Sequence, residues 1–421
     1  MAVSLNKLIP SRNKQSLFTA WLVVGLLFFV GALNYLDRIM ITTMRESITQ
    51  SIPMTDAQFG LLTSVFLWVY GLLSPFVGYL ADRFSRSRMI ILSIFVWSGV
   101  TWLTAYATTY EELLITRALM GISEACYIPA ALALITDYHK GSTRSMAVGI
   151  HMTGMMLGSS LGFLGGLIAE KNQWHDAFII FGIIGIVFTF ILIFLLRDSH
   201  TDTGSVIEQS NLEGLSFVSG MKDLFSKKSF ILLLIFWSFI GLVGWMIIGW
   251  LPTYYKEHFN LSQTNSGLYA TGYFYPVGIA GVLVGGYLAD RWSKKSDTSR
   301  IMVPILGLCL AAPGVFIASS TSIYFIAIAG FMIYGFTRYF SDTNLMPILC
   351  MVADKRYIAT GYGTLNLFSC IVGGIGIYLS GMLRDVDVDM ALQFKIAAFT
   401  MLVCAGLLYM VKRDVESSSK K

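Results

Sequence analysis

Six ionisable side chains lie inside long apolar stretches of the chain. Three are acids and three are bases: Asp37, Arg38, Arg117, Glu124, Arg338 and Asp342. A charged side chain at the centre of a bilayer costs about 2.5 to 3.5 kcal/mol on insertion scales, so such residues usually face a partner or a watery cavity. The set is neutral when every member is ionised. Protonation of one or two carboxylates therefore leaves a cationic cavity, which suits proton-coupled binding of an anion.

Asp37, Arg38, Arg117 and Glu124 can share one site. Arg117 and Glu124 are seven residues apart, so they lie on one face of a helix. Asp37 and Arg38 lie in the outer half of the first apolar stretch, at a depth that Arg117 also reaches. We interpret Asp37 and Glu124 as proton-coupling residues, and Arg38 and Arg117 as substrate-binding residues. The alternative is an ion-pair network that only joins two helices.

Arg38 is the preferred anchor for the anion, because its guanidinium group matches a carboxylate with two parallel hydrogen bonds. Arg38 directly follows Asp37 in the chain. We therefore expect protonation of Asp37 to free Arg38 for the substrate. Bound anion would in turn favour the protonated acid, which couples the two ligands.

Further substrate-binding candidates lie in the second half of the chain. Arg338 and Asp342 are four residues apart, so an intrahelical ion pair and contact with the substrate are equally open. Tyr254 and Tyr273 have rings with polar tips that suit a sugar ring, although Tyr254 could instead belong to an interfacial aromatic belt. Asn366 is a polar residue in an apolar run, suited to binding a hydroxyl group or to an interhelical hydrogen bond.

The elements that carry these residues are predicted to be membrane-spanning helices. Hydrophobic residues make up 55% of the 421 residues, charged residues only 13%, and the mean hydropathy is +0.67. We predict an all-α membrane protein with a six-helix bundle in residues 1–196, a cytoplasmic linker in 197–228, and a second six-helix bundle with a short cytoplasmic tail in 229–421. The twelve apolar runs lie near residues 17–41, 57–81, 89–108, 112–136, 145–168, 177–196, 229–252, 265–289, 300–319, 322–352, 359–382 and 391–411.

The distribution of Lys and Arg among the predicted loops sets the orientation. Most of these residues fall on the side of the amino terminus, so both termini are predicted to be cytoplasmic, in a multi-pass protein of the plasma (inner) membrane. The first apolar run shows no convincing cleavage site, so we interpret it as a retained helix. This topology explains the net charge of +5 without nucleic-acid binding.

Other chemistry finds little support in the sequence. The five cysteines all lie in apolar runs and show no CxxC spacing, which indicates neither a disulfide framework nor a metal site. The nucleotide-binding pattern GxxxxGK[ST] does not occur. We therefore expect no cofactor, no metal and no enzymatic activity.

One motif occurs twice, about half a chain apart. GYLADRFSRSR at Gly78–Arg88 returns as GYLADRWSKK at Gly286–Lys295. A carboxylate beside several cations at helix ends suits a latch that releases when a cytoplasmic gate opens. A simple positively charged turn is the alternative, and the exact repetition weakens it. The predicted gating residues are Gly78, Asp82, Arg83, Gly286, Asp290 and Arg291.

This motif resembles the loop signature of the major facilitator superfamily, and the twelve runs fit that pattern over the whole chain. NYLDR at Asn34–Arg38 and RALMGISEACYIPA at Arg117–Ala130 resemble signatures shared by the anion:cation symporters, such as hexuronate, aldonate and sialic-acid transporters, and by Spinster-type transporters. GWLPTYY at Gly249–Tyr255 and GTLNLFSCIVGG at Gly363–Gly374 are more similar to the anion:cation symporters. A glycine ladder in the fifth run is similar to an antiporter signature without its proline, so symport and exchange both stay open. Its members are Gly154, Gly158, Gly162 and Gly166.

The resemblance implies a secondary active transporter that works by alternating access as a monomer in the lipid bilayer. Its expected ligands are protons and a small organic anion such as a sugar acid. Spinster-like transport or exchange of a lysolipid or sphingolipid-type amphiphile is the alternative. A membrane sensor that transports nothing is disfavoured, because the sequence carries no additional soluble domain.

Overall fold

The computed structural model describes residues 17–139, 143–199 and 217–418. These residues form helices, and the described part of the chain contains no β-strand. The twelve long helical segments are α1 Leu17–Thr43, α2 Asp56–Arg83, α3 Arg86–Thr104, α4 Tyr110–Tyr138, α5 Arg144–Lys171, α6 Trp174–Leu195, α7 Lys228–Phe259, α8 Gln263–Ser293, α9 Asp297–Ala318, α10 Tyr324–Val352, α11 Ile358–Asp385 and α12 Met390–Ser418.

These lengths fit a membrane. Eleven of the described helices are long and apolar enough to cross one. The remaining segment, α10, has 29 residues and is long enough, but Arg338 and Asp342 lower its apolar character. The predicted all-α membrane fold is therefore confirmed. Two short helices lie outside the twelve, Arg45–Ser51 between α1 and α2, and Phe217–Ser226 before α7.

Local irregularities occur in the helices that surround the centre of the molecule. Helix α4 is interrupted at Cys126, three residues before Pro129. Proline has no N–H to donate to the carbonyl of residue i−4, which here is Ala125, so the helical hydrogen-bond pattern fails at this turn. Helix α8 contains a π-helical stretch at Leu268–Tyr273, whereas α10 continues without a break through Pro347.

The glycine ladder of α5 is a packing surface against α1. A Cβ atom at Gly158 would lie 1.9 Å from the backbone oxygen of Ala32, and one at Gly154 would lie 2.4 Å from that of Phe28. Glycine lets the two backbones approach this closely, as small residues do in membrane helix pairs. The ladder thus holds α1, which carries Asp37 and Arg38, at a fixed position.

Helices α1–α6 pack mainly on one another, as do α7–α12, and the two halves meet through α2 with α11 and α5 with α8. We call the face where α1 begins the terminal face and the opposite one the distal face. At the distal end of the α2–α11 contact, a Cβ at Gly381 would lie 2.3 Å from the oxygen of Asp56. The halves are therefore in close backbone contact at the distal ends of α2 and α11.

Candidate functional site

An ion pair between α1 and α4 forms the centre of the first half. Arg38 Nη2 donates to Glu124 Oε2 at 2.8 Å, and the side chains are 4% and 0% exposed. The two residues are far apart in sequence, and the bend of α4 just after Glu124 lies beside the pair. Loss of one partner from such a pair leaves an uncompensated buried charge, which typically costs 3 to 5 kcal/mol.

Aromatic rings surround the same guanidinium group. The Arg38 Cζ atom lies 4.6 Å from the ring centroid of Tyr35, 4.7 Å from that of Phe66 and 4.8 Å from that of Tyr70. These are favourable cation–π distances, and burial strengthens the attraction. The Arg38 guanidinium group thus keeps these stabilising contacts when another carboxylate replaces Glu124 as its partner.

Asp37 lies on a different side of α1 and has no cation within 4 Å among the described residues. Its Oδ2 accepts a hydrogen bond from Thr101 of α3 at 3.3 Å, while Oδ1 has no hydrogen-bond partner among the described residues. The residue is 1% exposed. An ionised carboxylate in this position is costly, and uptake of a proton removes the charge.

Arg117 is similarly buried, at 2% exposure. Its Nε and Nη2 atoms have no hydrogen-bond partner in the described part of the chain, and its Cζ lies 5.5 Å from the ring centroid of Phe178. It acts electrostatically on both Asp37 and Glu124. The structure therefore buries all four of the predicted residues Asp37, Arg38, Arg117 and Glu124 and places Arg117 within electrostatic reach of both carboxylates.

The pairing within this cluster differs from the sequence expectation in one respect. We expected Arg38 to be released by protonation of Asp37, its neighbour in the chain. The carboxylate that holds Arg38 is Glu124. Successive residues of a helix point about 100° apart, since 3.6 residues make a turn, so adjacent side chains do not face each other.

In the second half, Arg338 Nη1 pairs with Asp342 Oδ2 at 3.2 Å along α10. This is the intrahelical pair that the spacing allowed. Arg338 Nε has no hydrogen-bond partner among the described residues. Gly244 of α7 faces this side chain, because a Cβ there would lie 2.8 Å from Arg338 Nη2.

The uncharged candidates lie outside these charged clusters. Tyr254 is 1% exposed, donates its hydroxyl to the carbonyl of Ala318 at 3.1 Å, and packs in the aromatic core of the second half. Tyr273 is 43% exposed and stacks on Tyr269. Asn366 is half-buried on α11. Their contribution to a substrate site stays a prediction.

The first copy of the repeated motif is described only in part, and its Arg86 pairs with Asp137. The side chains of Gly78, Asp82 and Arg83 lie outside the described residues. Asp290 pairs with Arg300 at 3.1 Å, and this carboxylate is 80% exposed.

Gly286 has open space around it, because a Cβ there would contact only a Thr343 methyl group at 3.4 Å. Arg291 lies in the last turn of α8. The gating role of the six motif residues stays a prediction.

Sequence reasoning missed five residues that contact the charged centre. Thr101 donates to Asp37, and Asn34 Oδ1 lies 3.5 Å from Arg38 Nη2. Tyr35, Phe66 and Tyr70 form the aromatic surroundings. Only Asn34 and Tyr35 had a signal, as members of NYLDR. No cluster of three or more His, Cys, Asp or Glu side chains in the described ranges could hold a metal ion.

A multi-pass protein with two six-helix halves and buried charges near their junction has the architecture of a membrane transporter. The family model described as the Major Facilitator Superfamily matches residues 27–377. The chain belongs to this superfamily and is a transporter, not an enzyme.

Known proteins resemble the chain over most of its length. The probable L-galactonate transporter of Escherichia coli (strain K12) is 26% identical over 431 residues, which cover 97% of this chain and 92% of the relative. The sphingosine-1-phosphate transporter SPNS2 of Xenopus tropicalis is 27% identical over 388 residues, covering 86% and 73%.

A solved structure of a bacterial homologue of the human lysosomal transporter Spinster, inward-facing and unoccupied, superimposes with a TM-score of 0.75 at 21% identity. The superposition covers 96% of this chain and 98% of that one. This similarity supports the fold.

Proposed function

We propose that this transporter carries a small organic anion, such as a sugar acid, together with protons, by alternating access between its two halves. The buried pair of Arg38 and Glu124 is the observation that carries the proposal. A guanidinium group inside the membrane, held by a carboxylate that can be neutralised, is a binding site for an anion whose availability depends on a proton.

Coupling follows from competition for Arg38. While Glu124 is ionised, it occupies the guanidinium group at 2.8 Å. A proton that binds to the Glu124 carboxylate weakens this bond, and Arg38 then donates to the carboxylate of the substrate instead. Binding of the anion stabilises the protonated acid by the same free energy, because coupling between two ligands is reciprocal.

Asp37 supplies a second site for a proton. The four central charged residues, Asp37, Arg38, Arg117 and Glu124, comprise two cations and two carboxylates, so one bound proton leaves a net positive charge that matches one anionic group. Arg117 and Asp37 each retain unpartnered polar atoms in the described structure. The free Asp37 Oδ1 can take up a proton, and the Arg117 N–H groups, which only donate, can stabilise the ionised form of a carboxylate.

The proposed setting is the plasma (inner) membrane, with both termini in the cytoplasm and the chain acting as a monomer. Positive residues concentrate on the terminal face in the sequence, which supports this orientation. Arg338 of α10 is proposed to contact the substrate from the second half.

Transport of an anionic amphiphile is the second candidate. The aromatic rings around Arg38 favour it, because they would accept an apolar body beside a charged head group. The sphingosine-1-phosphate transporter among the relatives supports the same idea.

Purified protein in proteoliposomes tests both candidates. An inward proton gradient should drive accumulation of at least one labelled sugar acid, and a protonophore should abolish it. Accumulation or exchange of a sphingoid phosphate, with no movement of any sugar acid, would replace the first candidate by the second. Liposomes containing Arg38→Ala provide the background.

A further inference from the structure

Four charged residues form a ring at the distal face, and none of them belongs to the central site. Arg45 and Asp56 come from the first half, and Glu257 and Arg384 from the second. Arg384 Nε contacts Asp56 Oδ2 at 2.9 Å, and Arg45 Nη1 contacts Glu257 Oε1 at 3.2 Å. These two contacts cross between the halves.

The ring is completed by one ion pair within each half. Arg45 pairs with Asp56 in the first half. Arg384 Nη2 pairs with Glu257 Oε2 at 2.9 Å in the second. Each half therefore contributes one cation and one carboxylate that already touch each other.

The side chain of Trp250 packs against both arginines of the charged ring. The Cζ atoms of Arg45 and Arg384 lie 5.8 and 5.2 Å from the ring centroid of Trp250, which is fully buried. Trp250 donates its indole N–H to the carbonyl of Ile377 at 3.1 Å and packs on Phe59 of the first half. This arrangement separates the ring from the interior of the protein.

Polar contacts beside the ring also join the halves. Asp385 accepts hydrogen bonds from the backbone N–H groups of Asp56 and Ala57 at 2.8 and 2.9 Å, so a carboxylate of the second half caps the first turn of α2. Lys256 pairs with Glu46 at 2.9 Å across the same boundary. The distal side is thus closed by polar contacts rather than by apolar packing alone.

We propose that Arg45, Asp56, Glu257 and Arg384 form the distal gate of the transport cycle and that the gate opens by loss of its two crossing ion pairs. The proposal rests on alternating access, which is part of the proposed function. When the halves separate, the two crossing contacts break, while the pair inside each half remains. No charge of the ring is left unpaired, so the gate can open reversibly.

Solvent access makes the gate sensitive to salt. A cavity of about 320 Å³ is lined by Glu257 and Arg384, so water and ions reach the ring. The crossing pair of Arg45 and Glu257, whose carboxylate is 44% exposed, weakens as the Debye length falls from about 10 Å at 0.1 M salt to about 3 Å at 1 M. The more buried pair of Arg384 and Asp56 is screened less. High salt should therefore favour the open distal side.

Swapping the two charges of the second half tests the crossing contacts separately from the pairs inside each half. The double variant Glu257→Arg with Arg384→Glu keeps a pair within the second half but places like charges opposite Arg45 and Asp56. It should open the distal side. Adding Arg45→Glu and Asp56→Arg restores every attraction and should close it again. If the ring only stabilised the fold, a folded double variant would keep the wild-type distance between the halves.

Spin labels report the distance between the halves without any substrate, so this test can fail while transport itself stands. Labels are attached through Ser51→Cys and Ser320→Cys, which lie at exposed distal positions of the two halves. Accessible native cysteines, Cys126, Cys309 and Cys350, are replaced by serine. We expect a shift to longer distances in the double variant, and the original distribution in the quadruple variant.

A matched exchange on the terminal face, Asp223→Lys with Lys227→Asp, should leave the distances unchanged, because that pair does not cross between the halves. If the double variant does not fold, wild-type protein in 0.1 and 1 M salt and the single variant Glu257→Gln provide the same test. Unchanged distances under salt and in Glu257→Gln, or no return in a folded quadruple variant, overturn the proposal.

Discussion

Glu124→Gln should bind the anion tightly without needing a proton. In the wild type, deprotonated Glu124 holds Arg38 by a charge-assisted hydrogen bond of 2.8 Å, typically about 1.5 to 3 kcal/mol, whereas a neutral amide bond contributes about 0.5 to 1.5 kcal/mol. Release of Arg38 therefore becomes easier by about 1 to 1.5 kcal/mol, or roughly 5- to 12-fold in affinity. This gain should appear at high pH, where the wild-type carboxylate is ionised, and vanish at low pH.

Titration calorimetry with the sugar acid that passes the uptake screen measures this effect at two pH values. The control is Glu111→Gln, an exposed glutamate at the start of the same helix. Uptake driven by a proton gradient should fall in Glu124→Gln while exchange of the anion persists. Weaker binding at both pH values, or undiminished accumulation, would refute the competition between Glu124 and substrate.

Three further outcomes follow from the structure. Asp37→Asn should lose gradient-driven uptake while keeping anion exchange, and normal accumulation in this variant would remove Asp37 from the coupling. Gly158→Ala should destabilise the protein by about 1 to 3 kcal/mol in thermal unfolding, because its Cβ would lie 1.9 Å from a facing backbone oxygen. The control is Gly149→Ala on the same helix, where a Cβ would have nothing within 4 Å. Equal stability of the two variants would contradict the packing argument. Arg38→Lys should weaken anion binding more than Arg338→Lys in calorimetry, and the reverse order would move the anchor to α10.

The sequence predicted the membrane helices well because the length of an apolar run determines where a span can lie. The first run, 17–41, corresponds to Leu17–Thr43, and the tenth, 322–352, corresponds to Tyr324–Val352. The sequence did not predict the π-helical stretch at Leu268–Tyr273. That local shift of hydrogen bonding lies where α8 packs against α5, with Thr271 donating to the carbonyl of Ser160 at 3.2 Å, and such contacts leave no pattern in hydropathy.

The charged residues of the site could be found from the cost of burying them, but their partners could not. The pair of Arg38 and Glu124 joins residues 86 positions apart, and adjacency in the chain suggested Asp37 instead. Thr101 and Phe66 are ordinary residues of membrane helices, so nothing marked them as neighbours of the centre. At the distal face, nothing in the sequence marked the ring around Arg45, because its members come from both halves of the chain.

Proton-driven accumulation of a sugar acid in proteoliposomes is the most direct test of the proposed function. With an inward proton gradient, the internal concentration should rise above the external one, collapse when a protonophore is added, and fail to rise in Arg38→Ala. Equilibration that never exceeds the external concentration, with or without the gradient, would contradict proton-coupled transport of the anion.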